Sequence, residues 1–485
     1  MFWHIVKREL YDNMNSLRFA VTTMLLLALM VVNAVGYFGE YNARLTEYRR
    51  KVSESLDEME GNADRLFSLV LNGPGKLRKK PSALTFCADG GEAFLSEYAE
   101  GRKGGWSYGW NRDGKGYRVE GIWYLNYPQA NPSLWNIMPA DTNVSWASII
   151  ALVLSFVAIL FTFDAISGER ERGTLQLMLS NSVSRDAILL GKFVAAFLSI
   201  AIPFLIAALI NLFLLYTAGG VPLGAHEWAR LGILLLITLF YIVIFVALGL
   251  LVSSRITQSS ISLMVLLLIW ATWVVLTPST LGSIATGLKP AQTSAEFDQH
   301  RSKQRDNLKK EYLSDNPFEF EGPTRSYPPT KATQRWAEYV KREAELSERL
   351  NKEHLRDQIN QIKFARSLAR ISPASIVGYA VESLAGTGFS RHLQFLDQVN
   401  RFAPQFRAFT NETDAADAES PHLFGVKEGM SDKPVRFEAI PKFQDRVSLS
   451  SDFNTAAVDV LLLILFGVVL FASAYLSFLR ANILH

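Results

Sequence analysis

Apolar residues in this chain are concentrated in six long blocks, and most of the charged residues lie between these blocks. A helix needs roughly 20 mainly apolar residues to cross the hydrocarbon core of a bilayer. One such block would also suit a helix buried in a soluble protein, but six blocks in one chain argue strongly against that alternative. We predict an all-α polytopic membrane protein with transmembrane helices at residues 19–37, 146–164, 188–216, 231–252, 261–276 and 456–479.

The first apolar block shares one feature with a secretory signal peptide, because Lys7 and Arg8 precede it. Its apolar stretch, however, exceeds the roughly 7–15 residues that are usual for a signal peptide. The small residues within 33–36 mark a cleavage site only poorly. We therefore predict that this block is a retained transmembrane helix.

The distribution of basic residues predicts the orientation of the six helices. Short cytoplasmic loops carry an excess of Lys and Arg, whereas long loops are translocated largely regardless of their charge. Six successive crossings place most basic residues of the short loops on one side, so we predict that both termini are cytoplasmic. The long segments 38–145 and 277–455 are then extracytoplasmic insertions. The basic residues concerned are Lys7, Arg8, Arg18, Arg170, Arg172, Arg185, Arg255 and Arg480.

The two insertions have different patterns, which predict an α+β fold for the first and mainly helices for the second. In the first, residues 40–69 have the periodicity of an amphipathic helix, and short apolar runs between glycines then predict strands. In the second, charged residues 295–313 and a helix at 331–368 flank several prolines, which predicts a helical hairpin projecting from the membrane. The hairpin either meets a partner or has a purely structural role. Polar residues 411–434 predict a flexible loop.

Composition and motifs argue against several classes of protein. The formal net charge of +3 gives no reason to expect nucleic acid as a partner. Cys87 is the single cysteine, so no intrachain disulfide forms, and we expect an external thiol reagent to label it unless the fold buries it. Neither 73–76 nor 191–193 has the spacing of a phosphate-binding loop. The seven histidines show no metal-ligand spacing, and the sequence therefore predicts no enzyme, metal site or cofactor in this chain.

The most informative segment is the predicted cytoplasmic connector at residues 165–187. Ser167 or Gly168 is suited to cap a helix whose first turn is acidic, and an apolar run begins at Leu175. This pattern predicts a short helix at the membrane surface that docks into a groove of a soluble partner. An ordinary helical turn with surface charges fits the same residues.

Three stretches in and after this connector resemble the signature of a family. They are Glu-Arg-Glu-Arg-Gly-Thr-Leu at 169–175, Leu-Ser-Asn-x-Val-Ser-Arg at 179–185 and Gly-Lys at 191–192. These stretches resemble bacterial type-2 ABC exporter permeases, and most closely the subgroup with large extracytoplasmic insertions. That subgroup includes relatives of the nitrous-oxide-reductase maturation permease and the gliding-motility permeases. A looser resemblance covers Ser372–Ser375, Ser383–Gly388, Arg391, His392 and Phe395.

The resemblance implies the transmembrane permease subunit of an ABC exporter in the bacterial cytoplasmic (inner) membrane. Such a permease pairs with a second copy of itself or with a related permease. It carries two separate cytoplasmic ATPase subunits, which bind ATP and Mg²⁺. Residues 1–18 resemble the family's amphipathic elbow helix, in which Trp3 and Ile5 suit contact with lipid. The coupling helix that contacts the ATPase corresponds to Gly168, Glu169, Arg170, Glu171, Arg172, Gly173, Thr174 and Leu175.

We therefore expect this chain to couple ATP hydrolysis in a partner to substrate export or to mechanical work across the membrane. The alternative is a membrane-anchored assembly or signalling scaffold without transport, which needs no docking helix for a motor. An extracytoplasmic protein is a further candidate partner for the insertions. The substrate is not predicted. Asn33, Asn211 and Asp459 are weak candidates for a substrate site, because polar residues in membrane helices are functional by default, but each equally suits pairing between helices.

Overall fold

We describe the protein from a computed structural model, which describes residues 2–91, 95–105, 107–108, 119–128, 144–180, 184–218, 220–313, 331–447 and 449–480. Within these residues, six helices are long and apolar enough to cross a membrane, and this confirms the predicted number. A small antiparallel sheet lies in the first insertion, as the α+β pattern predicted.

The first part of the chain contains a short amphipathic helix, the first membrane helix and the first insertion. Helix α1 (Phe2–Met14) precedes α2 (Leu17–Gly36), which is membrane helix 1 and begins where the Ser16 side chain caps the N–H of Phe19. The insertion then contains α3 (Glu40–Asn62), α4 (Leu66–Asn72), β1 (Lys76–Arg78), β2 (Tyr98–Lys103), β3 (Ser107–Tyr108), β4 (Val119–Glu120) and β5 (Trp123–Asn126).

The strands form a three-stranded antiparallel sheet in the order β1-β2-β5 and a separate β3-β4 pair. Leu77 lies opposite Ala99, and Gly101 lies opposite Leu125. The side chains of Leu77, Ala99 and Leu125 are buried against the apolar face of α4. Alternate residues of a strand point to opposite faces, so this register gives the sheet one buried face.

The central part of the chain forms membrane helices 2 to 5. Membrane helix 4 lies at the centre of the bundle, because it packs against helices 2, 3 and 6. Membrane helix 2 consists of α5 (Trp146–Ser148), a π-helical segment (Ile149–Leu154) and α6 (Ser155–Thr162), and the connector after it contains α7 (Ser167–Glu171) and α8 (Thr174–Ser180). Membrane helix 3 is α9 (Arg185–Thr217), and membrane helix 4 is α10 (Ala225–Arg255). Membrane helix 5 consists of α11 (Ser259–Trp270) and a π-helical segment (Ala271–Leu276), which continues into α12 (Thr277–Leu288).

The last part of the chain forms the second insertion and membrane helix 6. The prolines expected at the tip of the hairpin fall within 314–330, outside the described residues. The elements are α13 (Ser294–Leu313), α14 (Lys331–Ala369), α15 (Pro373–Ala385), α16 (Gly388–Ala415), short 3₁₀ turns at Lys427–Gly429 and Phe437–Ala439, and α17 (Leu449–Leu479), which is membrane helix 6.

The helical hairpin of α13 and α14 is packed into the first insertion rather than projecting alone. The backbone N–H of Leu125 in β5 donates to the Glu348 carboxylate over 3.0 Å, and the Asn351 amide donates to the Leu125 carbonyl over 3.1 Å. Helices α13 and α14 also pack against each other. The two insertions therefore share one packed structure, which we call the external body because we predict that it lies outside the cytoplasm.

The prediction of a flexible loop at 411–434 is wrong for its first part, where α16 continues to Ala415. Asp414 is 1% exposed and accepts hydrogen bonds from the Ser420 hydroxyl over 2.8 Å and from the Ser431 N–H over 2.9 Å. A buried carboxylate is stable only when it is hydrogen-bonded or paired. The polar composition of this stretch therefore serves an ordered network around Asp414.

Cys87 is not accessible, although it lies in the predicted external segment. Its side chain is fully buried, and its carbonyl accepts the N–H of Ala147 over 2.8 Å at the start of membrane helix 2. Burial raises the pKa of the Cys87 thiol well above its usual range. Because the fold buries Cys87, we do not expect an external thiol reagent to label it.

Candidate functional site

The connector between membrane helices 2 and 3 is two short helices rather than one. Helix α7 ends at Glu171, and Gly173 then adopts a left-handed backbone with a φ of +72° before α8 begins. Glycine adopts this conformation without steric cost, whereas a side chain would strain it. The predicted single helix from Gly168 to Leu175 is therefore broken by a bend.

The cap of the first connector helix comes from membrane helix 4, not from the predicted Ser167 or Gly168. The hydroxyl of Ser253 accepts the backbone N–H groups of both Ile166 and Ser167 over 3.0 Å. These two N–H groups lie at the start of α7, where the backbone N–H groups have no carbonyl partner within the helix. The cap therefore fastens the connector to membrane helix 4.

A buried lysine joins the connector to membrane helix 3 and to α1. The ammonium of Lys192 lies 2.7 Å from a carboxylate oxygen of Glu169 and 2.7 Å from one of Glu9. Lys192 is 3% exposed, and charges buried to this degree are stable only when they are paired. A Cβ atom on neighbouring Gly191 would lie 2.7 Å from a methyl group of Ile5, so glycine at 191 permits α1 to approach.

The remaining connector charges differ in their surroundings. Glu171 accepts the hydroxyl of Ser259 over 2.7 Å at the start of membrane helix 5. Arg172 is exposed, and its Nε donates to the Gly168 carbonyl over 3.2 Å. Arg170 is partly buried, and its Nε has no hydrogen-bond partner among the residues that the structure describes. The four alternating charges therefore do not form one partner-facing row.

One surface of the connector remains exposed and is suited to contact another protein. Leu175 is fully buried, whereas Leu177 is 67% exposed, and Arg172 and Thr174 are exposed beside it. An exposed leucine next to charged and polar side chains can provide an apolar anchor with a polar rim. We call Arg172, Thr174 and Leu177 the connector face.

The elbow segment lies along membrane helix 3, with Trp3 and Tyr11 exposed. The Asn13 amide donates to the Ser199 hydroxyl over 3.1 Å, which fixes the end of α1 against that helix. Trp3 and Tyr11 are 63% and 69% exposed. Amphipathic aromatic side chains with this exposure suit the interfacial region of a bilayer.

At the opposite end of the bundle, the second resembling stretch forms a tight turn around a buried carboxylate. Glu382 accepts the N–H of Phe389 over 2.7 Å and pairs with Arg366 at 3.0 Å. Gly386 and Gly388 both have a φ of +65°, and a side chain on Gly388 would collide with this carboxylate. Burial raises the pKa of Glu382, and the neighbouring Arg366 partly opposes that effect.

Further polar contacts tie the external body to the membrane helices. Arg370, just after the end of α14, makes two hydrogen bonds of 2.5 and 3.0 Å to Asp459 of membrane helix 6. Arg230 of membrane helix 4 pairs with Asp452 and donates to the Leu384 carbonyl of α15 over 3.2 Å. The Arg230–Asp452 pair itself joins membrane helices 4 and 6, so the links to the external body are the Arg370–Asp459 pair and the Arg230 contact with Leu384, which we call the external joint.

The polar residues considered for a substrate site pair between elements of this chain. Besides Asp459, the Asn33 amide donates to the Val144 carbonyl over 2.6 Å, and the Asn211 amide donates to the Asn33 side chain over 2.8 Å. The indole of Trp146 donates to Asn211 over 3.1 Å. Pairing between segments of this chain therefore accounts for Asn33, Asn211 and Asp459, and none of the three is assigned to a substrate site.

Comparison with known proteins decides the family. A profile of ABC-2 family transporter proteins matches residues 3–483. The chain belongs to this family. It is similar to the probable ABC transporter permease protein NosY of Stutzerimonas stutzeri, with 37% identity over 110 residues that cover 22% of this chain and 40% of that protein. It is also similar to the probable permease NosY of Pseudomonas aeruginosa, with 36% identity over 86 residues that cover 18% and 31% respectively.

This ABC-2 family protein is a multi-pass membrane protein. The chain matches 40% or less of the length of these NosY relatives. Sequence reasoning placed Lys192 in a Gly-Lys pair just inside membrane helix 3 and did not connect it with Glu9. A lysine just inside a membrane helix, close in sequence to the glutamates of the connector, was the signal that could have suggested a buried ion pair.

Proposed function

We propose that this ABC-2 family protein is the permease of an ATP-driven exporter, or of a machine doing mechanical work, with its connector as the coupling element. The observation that carries the proposal is the set of contacts of the connector. It reaches membrane helix 3 through Lys192, membrane helix 4 through Ser253 and membrane helix 5 through Ser259. Because the connector also continues membrane helix 2, a force on it would reach four helices together.

The connector face provides the docking surface in this proposal. Leu177 would enter a groove of the ATPase, and Arg172 would set the register of the two proteins. Interface charges contribute more to specificity and orientation than to affinity, while buried apolar anchors contribute most of the binding energy. Glu169 would transmit force inward through Lys192 rather than contact the ATPase.

The external joint supports the mechanical part of the proposal. Helix α14 has 39 residues, which corresponds to about 58 Å at the helical rise per residue. It ends beside Arg370 and runs through the external body. A movement of membrane helix 6 at Asp459 would therefore reach the far end of the external body through one continuous helix.

The remaining parts of the proposal concern partners and location. ATP and Mg²⁺ would be held by the separate ATPase subunits, and no nucleic acid is involved. A second permease copy or a related permease would complete the membrane part, with membrane lipid around it. We place the protein in the bacterial inner membrane with both termini cytoplasmic, so that an extracytoplasmic protein can meet the external body.

Co-purification with an ABC ATPase encoded beside this gene tests the proposal. The variant Arg172→Glu/Leu177→Asp should lower ATPase co-elution from detergent by about tenfold or more, because a lost interface anchor costs roughly 2 kcal/mol. The matched control, Arg401→Glu/Asn411→Asp, makes the same charge change at exposed positions of the external body and should co-elute normally. Normal co-elution of the connector variant would contradict the proposal and favour the scaffold alternative.

A further inference from the structure

The external body contains a cavity of about 520 Å³ that the proposed ATPase coupling does not use. It lies between β5, α14 and α16, and Val70, Ile122 and Phe424 provide apolar lining. Small-molecule sites in proteins have volumes of roughly 300–1,000 Å³ and mainly apolar walls with a few polar groups. Both the size and the lining of this cavity therefore fit a small ligand.

One wall of the cavity is a fixed arrangement of aromatic and charged groups. The guanidinium of Arg407 lies over the Trp123 ring, 4.4 Å from its centroid, and both its terminal nitrogens contact the Glu348 carboxylate. Glu348 also accepts the N–H of Leu125 over 3.0 Å. Stacking and paired hydrogen bonds hold a guanidinium in one orientation. Glu348 is thus neutralised within the wall.

The rim of the cavity carries an excess of positive charge. Lys341, Arg349 and Lys352 lie on one exposed face of α14, and no ion pair involves them among the residues that the structure describes. Glu345 also lines the cavity, but it pairs with Arg342 at 3.3 Å. The rim therefore carries a net positive charge beside an apolar floor.

We propose that this cavity binds a small amphipathic anion, with an aromatic or aliphatic body and a carboxylate or sulfonate group. The body would lie on the apolar floor beside Trp123, where removing its apolar surface from water favours binding. The acidic group would remain at the rim beside Lys341, Arg349 and Lys352. This site goes beyond ATPase coupling, because it is built entirely within the external body.

Binding of dansyl-glutamate to the full-length protein in nanodiscs tests this site. The probe is aromatic and anionic, and its fluorescence rises in an apolar site; empty nanodiscs provide the background. We expect saturable binding that the variant Lys341→Gln/Arg349→Gln/Lys352→Gln weakens about tenfold, since exposed charge interactions contribute modestly but add. The matched control, Arg335→Gln/Arg356→Gln/Lys363→Gln, removes three exposed cations of the same helix that do not line the cavity and should bind normally.

The neutral probe dansylamide separates the role of the acidic group from that of the aromatic ring. We expect it to bind more weakly than dansyl-glutamate and to respond equally to both triple variants. Absence of saturable binding, or equal weakening of dansyl-glutamate by both triple variants, would overturn the proposal. Because no ATPase is present in these measurements, failure here is distinct from failure of the proposed function.

Discussion

Lys192 donates a hydrogen bond of 2.7 Å to Glu169, and this contact joins the start of membrane helix 3 to the connector. The same ammonium also contacts Glu9 of α1 at 2.7 Å. Three segments far apart in the sequence therefore meet at one buried cation. The arrangement explains why Glu169 is not available for a partner, although Glu171 and Arg172 of the same connector are exposed.

Removing this cation should destabilise the protein. Lys192→Met leaves two mostly buried carboxylates without their partner, which we expect to cost about 3 kcal/mol. Arg8→Met is the matched control, because Arg8 lies on α1 but its pair with Asp12 spans 4.0 Å between exposed side chains. Thermal unfolding in detergent should show a clearly lower Tm for Lys192→Met alone. Equal Tm values for the two variants would contradict the role assigned to Lys192.

Weakening the external joint should impair function without disturbing ATPase binding. Asp459→Asn and Arg370→Gln each remove a charge from the same pair, so we expect a double-mutant coupling energy of roughly 1–3 kcal/mol in stability. The exposed pair of Arg401 and Asp397 provides the control cycle and should give a coupling near zero. Co-elution with the ATPase should stay normal while activity in the cell falls. Full activity of both single variants would exclude the joint from force transmission.

Local pattern predicted the membrane part of this fold and some of the external body. The apolar blocks, the amphipathic stretch after residue 40 and the presence of strands in the first insertion follow from periodicity and turn residues. The contacts of Lys192 with Glu9 and of Leu125 with Glu348 could not be predicted, because each joins residues that are far apart along the chain. Contacts of this kind depend on the packed fold, which periodicity does not report.

The connector shows the same limit within a single segment. Its position and the bend-permitting Gly173 were visible in the sequence, but the direction of each charged side chain was not. Glu169 and Glu171 contact side chains of other helices, whereas Arg172 is exposed and donates to a backbone carbonyl of its own helix. Reversing Glu169 and Glu171 together would therefore disturb folding contacts as well as docking. The cleaner surface variants are those at Arg172 and Leu177.

Thiol labelling with a membrane-impermeant reagent tests the orientation. Cys87 is buried and cannot report the orientation, and a cysteine introduced at Asp414 would not report it either, because Asp414 is 1% exposed. We expect Asn411→Cys to react in intact spheroplasts and Gln176→Cys to react only after the membrane is opened, since both positions are exposed. The parent protein should remain unlabelled. Labelling of Gln176→Cys but not Asn411→Cys in intact spheroplasts would contradict the predicted orientation and indicate the opposite one.

The stability of the external body should fall as the pH is lowered. Burial, together with the charges of Lys79 and Arg391, lowers the pKa of His392 to about 3. The unfolded chain binds this proton near pH 6.5, so acidification below that value favours unfolding. From pH 7 to pH 5 we expect the native protein to lose about 2 kcal/mol more than His392→Gln.

The control for this pH effect is His300→Gln, because His300 is exposed on α13. It should keep the pH dependence of the native protein. Glu382 titrates in all three proteins alike, so comparing their Tm values across pH isolates the contribution of His392. An unchanged pH dependence in His392→Gln would show that His392 is protonated in the folded state.

Photo-crosslinking from the connector face tests the central claim most directly. Leu177→Cys can be labelled with benzophenone maleimide, because Cys87 is buried and does not compete. Illumination of the detergent-solubilised complex should give a covalent adduct with the ABC ATPase from position 177, and none from the same label at Asn411→Cys. An ATPase that co-elutes but gives no adduct from position 177 would contradict docking through the connector.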